Sequence, residues 1–177
     1  ATRQINEQAS FALIRRASLQ NFIDSITSLI GVTLHSKPVV SSLSDAELVE
    51  LMDSMFASRH LDIHARELKA QGECFYTIGG SGHECNSAVA FASRPSDPAF
   101  LHYRAGAFFQ QRAKQVPDQS PIYDVLLGLV ASSDEPIAGG RHKVFGSTTL
   151  SIPPQTSTIA SHLPKAVGAA FSIARSE

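Results

Sequence analysis

The sequence has almost no net charge. Lysine and arginine number 15 against 16 aspartates and glutamates, with 7 histidines besides. Without a basic excess there is no electrostatic footprint for nucleic acid or for an anionic membrane surface, so neither is expected as a partner. Cysteine is scarce as well. The 2 residues of this type, Cys74 and Cys85, are spaced neither as a C-x-x-C redox motif nor as a zinc knuckle, and they make no disulfide scaffold. They are expected as buried or part-buried thiols in a reducing, cytoplasmic setting. Long hydrophobic runs are missing too: no apolar stretch approaches the roughly 20 residues that span a bilayer. The opening "ATRQINEQAS" lacks the apolar centre of a secretory signal.

What remains is 177 residues, 43% hydrophobic and 18% charged, a composition that suits one soluble domain with a core. There is no internal repeat and no low-complexity tract. "FALIRRASLQNFIDSITSLIG" reads as an amphipathic helix with Phe11, Ile14, Phe22, Ile26 and Leu29 on one broad face and Gly31 at its end. The clearest start signal is "LSDAEL". Ser44 can cap a helix, Glu47 can close the box back onto it, and Leu43 and Leu48 can form a hydrophobic staple. That helix is expected to run to Gly72, with Leu48, Leu51, Met52 and Met55 toward the core and Arg66, Glu67 and Lys69 in water.

Beyond it the spacing predicts a helix starting near His83 or Glu84, a short strand at "FLHY", a helix over "AGAFFQQRAKQV" ending at Pro117, and one over "SPIYDVLLGLVAS". The last is started by Ser120 as cap and Pro121 at N1. Residues 132–156 have loop composition over a length that is usually functional or mobile. A last helix begins near Ser157 to Ile159, with Pro164 in its early turns and Leu163, Val167 and Phe171 on one face. Strand content is low for a sheet, yet the glycine-rich strand-to-helix junctions are of the α/β kind.

Several stretches can carry chemistry. "TIGGSGHE" either offers outward N–H groups to an anion or is a plain tight turn, since neither a P-loop nor a dinucleotide fingerprint is complete. His60 and His64 have metal-ligand spacing without a third ligand, so surface or interface histidines are expected. "HYRAG" places Tyr103 and Arg104 at the C-terminal end of the candidate strand, where α/β proteins bind ligands; the guanidinium fork suits phosphate or pairs with a structural carboxylate. "GGRHKVFGS" gathers Arg141, His142 and Lys143 in a loop that suits a phosphate or carboxylate, or is simply a solvated basic loop.

Taken in order, "MFASRHLDIHARELKAQGECFYTIGGSGHE", "FLHYRAG", "GGRHKVFGS" and "STIASHLPKAVGAA" resemble the thiamine-diphosphate-dependent decarboxylating first component of the 2-oxoacid dehydrogenase complexes, in the alpha-subunit region of the pyruvate and branched-chain type. The resemblance covers roughly residues 45 to 177 and leaves residues before Ser44 uncovered. It implies an α/β fold, the helix-rich N-terminal part of a thiamine-diphosphate-binding fold with its parallel sheet left incomplete. It divides the chain into a helical extension over 1–43 and the diphosphate-side domain over 44–177. On this likeness the chain is the first part of a longer alpha region. The Mg²⁺ ligands would lie beyond residue 177, so that no metal ligand is expected in this stretch.

By the same resemblance Tyr103 and Arg104 would contact the diphosphate. Ser157 would lie at the cofactor, Ile159 would support its bent form, and His102 would occupy a neighbouring position. Two departures stand out. Ala105 follows the Tyr-Arg pair where many relatives carry an acid. His142 comes directly after Arg141 rather than a few residues further on, so its candidacy for a catalytic role is out of register. The implied reaction is oxidative decarboxylation of a 2-oxo acid, with acyl transfer to a lipoyl group. The implied partners are a beta subunit or fused beta region and a lipoyl-bearing acyltransferase component, in a homo- or hetero-oligomer. The 177 residues alone would be inactive. The competing expectation is a non-catalytic fragment or assembly module that binds no cofactor by itself.

Overall fold

The computed structural model describes residues 42–176. The amphipathic segment expected over residues 11–31 lies outside them. Five helices follow one another: α1 (Asp45–Ala70), α2 (Asn86–Ala92), α3 (Gly106–Lys114), α4 (Pro121–Leu129) and α5 (His162–Ser176). Among the described residues there is no strand, only one antiparallel bridge between Ser147 and Ile152.

Helix α1 starts as its sequence dictates. The Glu47 N–H donates to Ser44 Oγ at 3.3 Å, and Glu47 Oε2 accepts the Ser44 N–H at 2.7 Å. The backbone bond from Ser44, then its hydroxyl, hold the Glu47 carboxyl below its ordinary range. A carboxyl depressed in the folded state contributes stability at neutral pH that fades as pH falls through the acid range. The helix ends at Gln71, and Gly72 follows at φ +81° with open space around its absent side chain. Gly72→Ala is therefore expected to cost about 1 kcal/mol from left-handed backbone strain alone, read as a shift in urea midpoint with an unchanged slope.

The buried face of α1 is Leu51, Ser54, Ser58, Leu61 and Ala65. Of the four residues expected toward the core, Leu51 is buried, whereas Leu48 and Met52 are exposed, Met52 by 50%. The reason is the close approach of α3. Ser54 Oγ donates to Gln111 Oε1 at 2.7 Å, and Gln111 reaches the Glu50 carboxylate. Small hydroxyls at the seam fix the rotation of α1 and turn Leu48 and Met52 outward.

Helix α3 is the centre of the fold, with every residue from Ala107 to Ala113 buried. Phe108, Phe109 and Ala113 pack with Ala90, Leu101, Ala105, Leu150 and Ile152 in the main core. A second cluster joins Ala65, Cys74 and Leu129. Cys74 is buried as expected, but Cys85 is exposed, and both are free thiols. The loop over 132–156 is confirmed, and its Glu135 carboxylate accepts the N–H groups of Ile137, Ala138 and Gly140.

Three further expectations are corrected. "FLHY" is not a strand, so the described residues hold no parallel sheet, complete or otherwise. An extended segment becomes a strand only by pairing, and here the one bond to the 147–152 turn is Ala99 N–H to Ser151 O at 2.9 Å. Helix α2, which precedes that segment, begins at Asn86 rather than near His83 or Glu84, because the chain first makes turns closed by His83 N–H to Gly80 O and Asn86 N–H to His83 O. Helix α5 likewise starts at His162, placing Pro164 in its first turn, where no intrahelical donor is required. It buries none of its side chains, and Val167 on its apolar face is 70% exposed. No helix among the described residues is long and apolar enough to cross a membrane.

Candidate functional site

Two adjoining clefts lie where α1, the 76–80 segment, the 103–106 turn, α4 and the 143–145 segment meet. They are narrow, and they share Ile78, Tyr103, Val125, Lys143 and Phe145. Arg104 lines the first and Ser157 the second. Residues separated by more than half a hundred positions in the chain thus meet across one wall.

The turn that presents Tyr103 and Arg104 is held closely. Arg104 Nη1 donates to the Gly79 carbonyl, and its guanidinium carbon stands 5.2 Å from the centre of the Tyr103 ring. One nitrogen is thereby used as an anchor, and the remaining donors of the fork stay available. Gly80 is required for this approach: a Cβ there would lie 2.9 Å from the Arg104 carbonyl oxygen. That neighbour is backbone and cannot swing aside. Gly80→Ala should displace the Arg104 turn and destabilise the fold by about 1–3 kcal/mol; a melting curve unchanged from wild type would contradict the close packing.

Asp62 on α1 accepts the Gly80 N–H at 2.7 Å and stands 3.7 Å from Arg59. Glu84 accepts the Gly82 N–H at 2.8 Å. Two amides of "TIGGSGHE", those of Gly80 and Gly82, are therefore taken by the chain's own carboxylates, and that of His83 by the Gly80 carbonyl, so the stretch is a structural turn. Its purpose is to seat Arg104.

Lys143 lines both clefts. Burial pushes its amine below the ordinary lysine range, while Asp62 and then Cys74 act in the opposite direction. His142 beside it bonds through Nε2 to Ser157 Oγ at 2.8 Å, linking the long loop to the approach to α5. Asp124 on α4 is the carboxyl of the second cleft, raised by burial and then by Glu135. Arg141 is exposed, and its side chain turns back to the Ala138 carbonyl at 3.4 Å.

Of the positions singled out in the sequence, Tyr103, Arg104 and Ser157 line the clefts, and His142 touches Ser157. His102 lines neither; its ring packs on Tyr103 with centroids 3.8 Å apart. Ile159 is not brought to the site at all. It is 76% exposed, because the chain turns through residues 157–160 before α5 starts. His60 and His64 are engaged locally, with the Phe56 carbonyl and the Glu67 carboxylate, each at 2.9 Å. Among the described residues no group of three or more His, Cys, Asp or Glu is placed to hold a metal ion. Asp62 was not legible as a site residue, since nothing in "RHLDIHAR" separates it from a wet helix face.

The donor set tests what could bind. Arg104, Lys143, the Tyr103 hydroxyl and the Ser157–His142 pair are cationic or proton-donating, Ile78, Val125 and Phe145 form an apolar wall, and two carboxyls line the same clefts, Asp62 held to the Gly80 N–H and Asp124 pushed up by burial. The donors suit an anionic group beside an apolar body, provided that the Asp124 carboxyl is protonated or turned away. No protein-family model matches the sequence, and no curated protein matches it.

Proposed function

We propose that this chain supplies the diphosphate side of a thiamine-diphosphate site in the decarboxylating component of a 2-oxoacid dehydrogenase. The observation that supports this reading most is the meeting of Tyr103, Arg104 and Ser157 on two clefts that share Lys143. These are three of the positions that the family resemblance assigns to the cofactor. The donor set fits thiamine diphosphate, which when bound supplies the carbanion and electron sink for decarboxylation of a 2-oxo acid.

The chain's own residues do the remaining work in this reading. Arg104 and Lys143 neutralise the diphosphate, and Tyr103 orients it through its hydroxyl. His142 holds Ser157 in place by accepting or donating the proton they share. Ile78, Val125 and Phe145 keep water from the cleft. Metal ligands for Mg²⁺, the beta region and the lipoyl-bearing acyltransferase would complete the enzyme, for pyruvate or a branched-chain 2-oxo acid.

Calorimetric titration of the natively isolated protein with thiamine diphosphate, with and without Mg²⁺, tests the proposal. Saturable binding that needs both components is expected. A folded protein that takes up neither would end it. The second reading, an assembly module, is favoured by one observation: the uncovered apolar face of α5 at Leu163, Val167 and Phe171. It is the reading left if the titration is flat.

A further inference from the structure

One amine of this chain is held partly out of water. Among the described residues Lys69, Lys114 and Lys165 are exposed, and Lys114 pairs with Asp53 at 2.6 Å. Lys143 differs from all three: it is half-buried and lines both clefts. Its amine takes part in no hydrogen bond or ion pair among the described residues, and its nitrogen is not one of the atoms sealed off without a partner, so it opens onto the clefts. The carboxylate that acts on it, Asp62, is spent on the Gly80 N–H at 2.7 Å and faces Arg59 at 3.7 Å.

An amine so placed is a nucleophile. Leu61, Ile78, Val125 and Phe145 line the clefts beside it and cannot solvate an ammonium. Their company favours the neutral amine, whose lone pair attacks a carbonyl carbon. Donors for an anion stand in the same clefts. Arg104 has used one nitrogen on the Gly79 carbonyl and keeps the rest of its fork. The Ser157 hydroxyl, joined to His142, lies in the second cleft. Several donors around one point suit the three oxygens of a phosphate better than the two of a carboxylate. The narrowness of the clefts calls for a short body between the phosphate and the carbonyl, and an aldehyde is the least hindered carbonyl.

We propose that Lys143 forms an imine with a small phosphorylated aldehyde whose phosphate is held by Arg104. The step releases only water. Lys143 Nζ bonds to the carbonyl carbon, and one amine proton passes to the carbonyl oxygen. The resulting hydroxyl then leaves as water with the second amine proton as the C=N bond forms. Nothing is oxidised or reduced. Asp124 lines the second cleft together with Lys143, and burial keeps more of its carboxyl protonated, which equips it to hand the departing hydroxyl its proton. The site does not rest on the function proposed above, although both place an anion beside Arg104.

Borohydride trapping on the natively isolated protein tests this, with glycolaldehyde phosphate as the probe and the modified lysines mapped by mass spectrometry. Borohydride gives its hydride to the imine carbon and fixes a secondary amine. Lys143 is expected to be labelled about tenfold faster than Lys69 and Lys165, and about tenfold faster by this probe than by glycolaldehyde, which has no phosphate. Ethyl phosphate, which has no aldehyde, should slow the labelling of Lys143 and leave that of Lys69 and Lys165 unchanged. Arg104→Ala should bring the two probes level; if that variant does not fold, the ethyl phosphate competition on the wild-type protein decides the same point. Labelling of Lys143 no faster than that of the exposed lysines overturns the proposal. Equal rates with the two probes, or no competition by ethyl phosphate, overturns the assignment to a phosphorylated aldehyde. Labelled Lys143 in a protein that takes up no thiamine diphosphate leaves the imine site standing and ends the cofactor reading. Thiamine diphosphate uptake without preferential labelling does the reverse.

Discussion

Replacing Arg112 by alanine is expected to lower stability by about 3–5 kcal/mol, a large share of a typical domain's total. Arg112 sits on α3 with 1% of its surface exposed. Its Nη1 donates to the carbonyls of Pro95, Asp97 and Leu150 at 3.2, 3.1 and 3.4 Å, and Nη2 donates to Ser93 Oγ at 2.8 Å. The guanidinium also lies 5.0 Å from the centre of the Phe108 ring. One side chain thus ties the turn after α2, the central helix and the 147–152 turn together. Removing it leaves the buried Leu150 carbonyl and the part-buried carbonyls of Pro95 and Asp97 without this donor and opens a cavity in the core, and each loss adds to the other. Arg112→Lys would recover only part, because a single ammonium cannot reach both the carbonyls bound by Nη1 and the Ser93 hydroxyl bound by Nη2. Urea denaturation followed by circular dichroism measures the effect. A change under about 1 kcal/mol in Arg112→Ala would mean the network contributes no more than a surface ion pair.

The second large effect concerns binding. On the function proposed above, Arg104→Ala in the complete enzyme should weaken thiamine diphosphate by about 1.5–3 kcal/mol, the scale of a hydrogen bond to a charged group, or roughly 10- to 150-fold in dissociation constant. The loss has two parts. A cation facing the diphosphate is removed, and the turn loses its tie to the Gly79 carbonyl. Arg104→Lys separates them: the charge remains while the anchored fork does not, so an intermediate loss is expected. Titration of both variants against wild type at one ionic strength reads the difference. Unchanged affinity in Arg104→Ala would remove Arg104 from the site, whatever the status of Lys143.

Much of this was legible before any tertiary information. The capping box at Ser44 and Glu47, the stop at Gly72, and the start of α4 at Pro121 are written in contiguous residues, although the Ser120 hydroxyl makes no cap bond. Local hydrogen bonding and fixed backbone angles decide such features, so a short window contains all the physics they need. The same holds for Tyr103 and Arg104 as candidates, since the pair and Gly106 lie within four consecutive residues. The loop over residues 132–156 was equally plain from its glycines, prolines and hydroxyls.

Other features depended on partners far along the chain. A strand at "FLHY" needs a neighbouring strand, and Ala99 finds only the Ser151 carbonyl. Met52 faces outward because Ser54 meets Gln111, 57 positions away. Asp62 belongs to the site because it holds Gly80, and Lys143 because the long loop folds it against α1 and α4. Ile159 misses the site because the chain turns through residues 157–160 and α5 begins at His162 rather than near Ser157 to Ile159. By itself the sequence determined where helices α1 and α4 start, where α1 stops, and which residues are chemically able to bind an anion. Only the tertiary structure decided which of them face one cleft, because desolvation and hydrogen bonding between distant segments select the faces that close against one another.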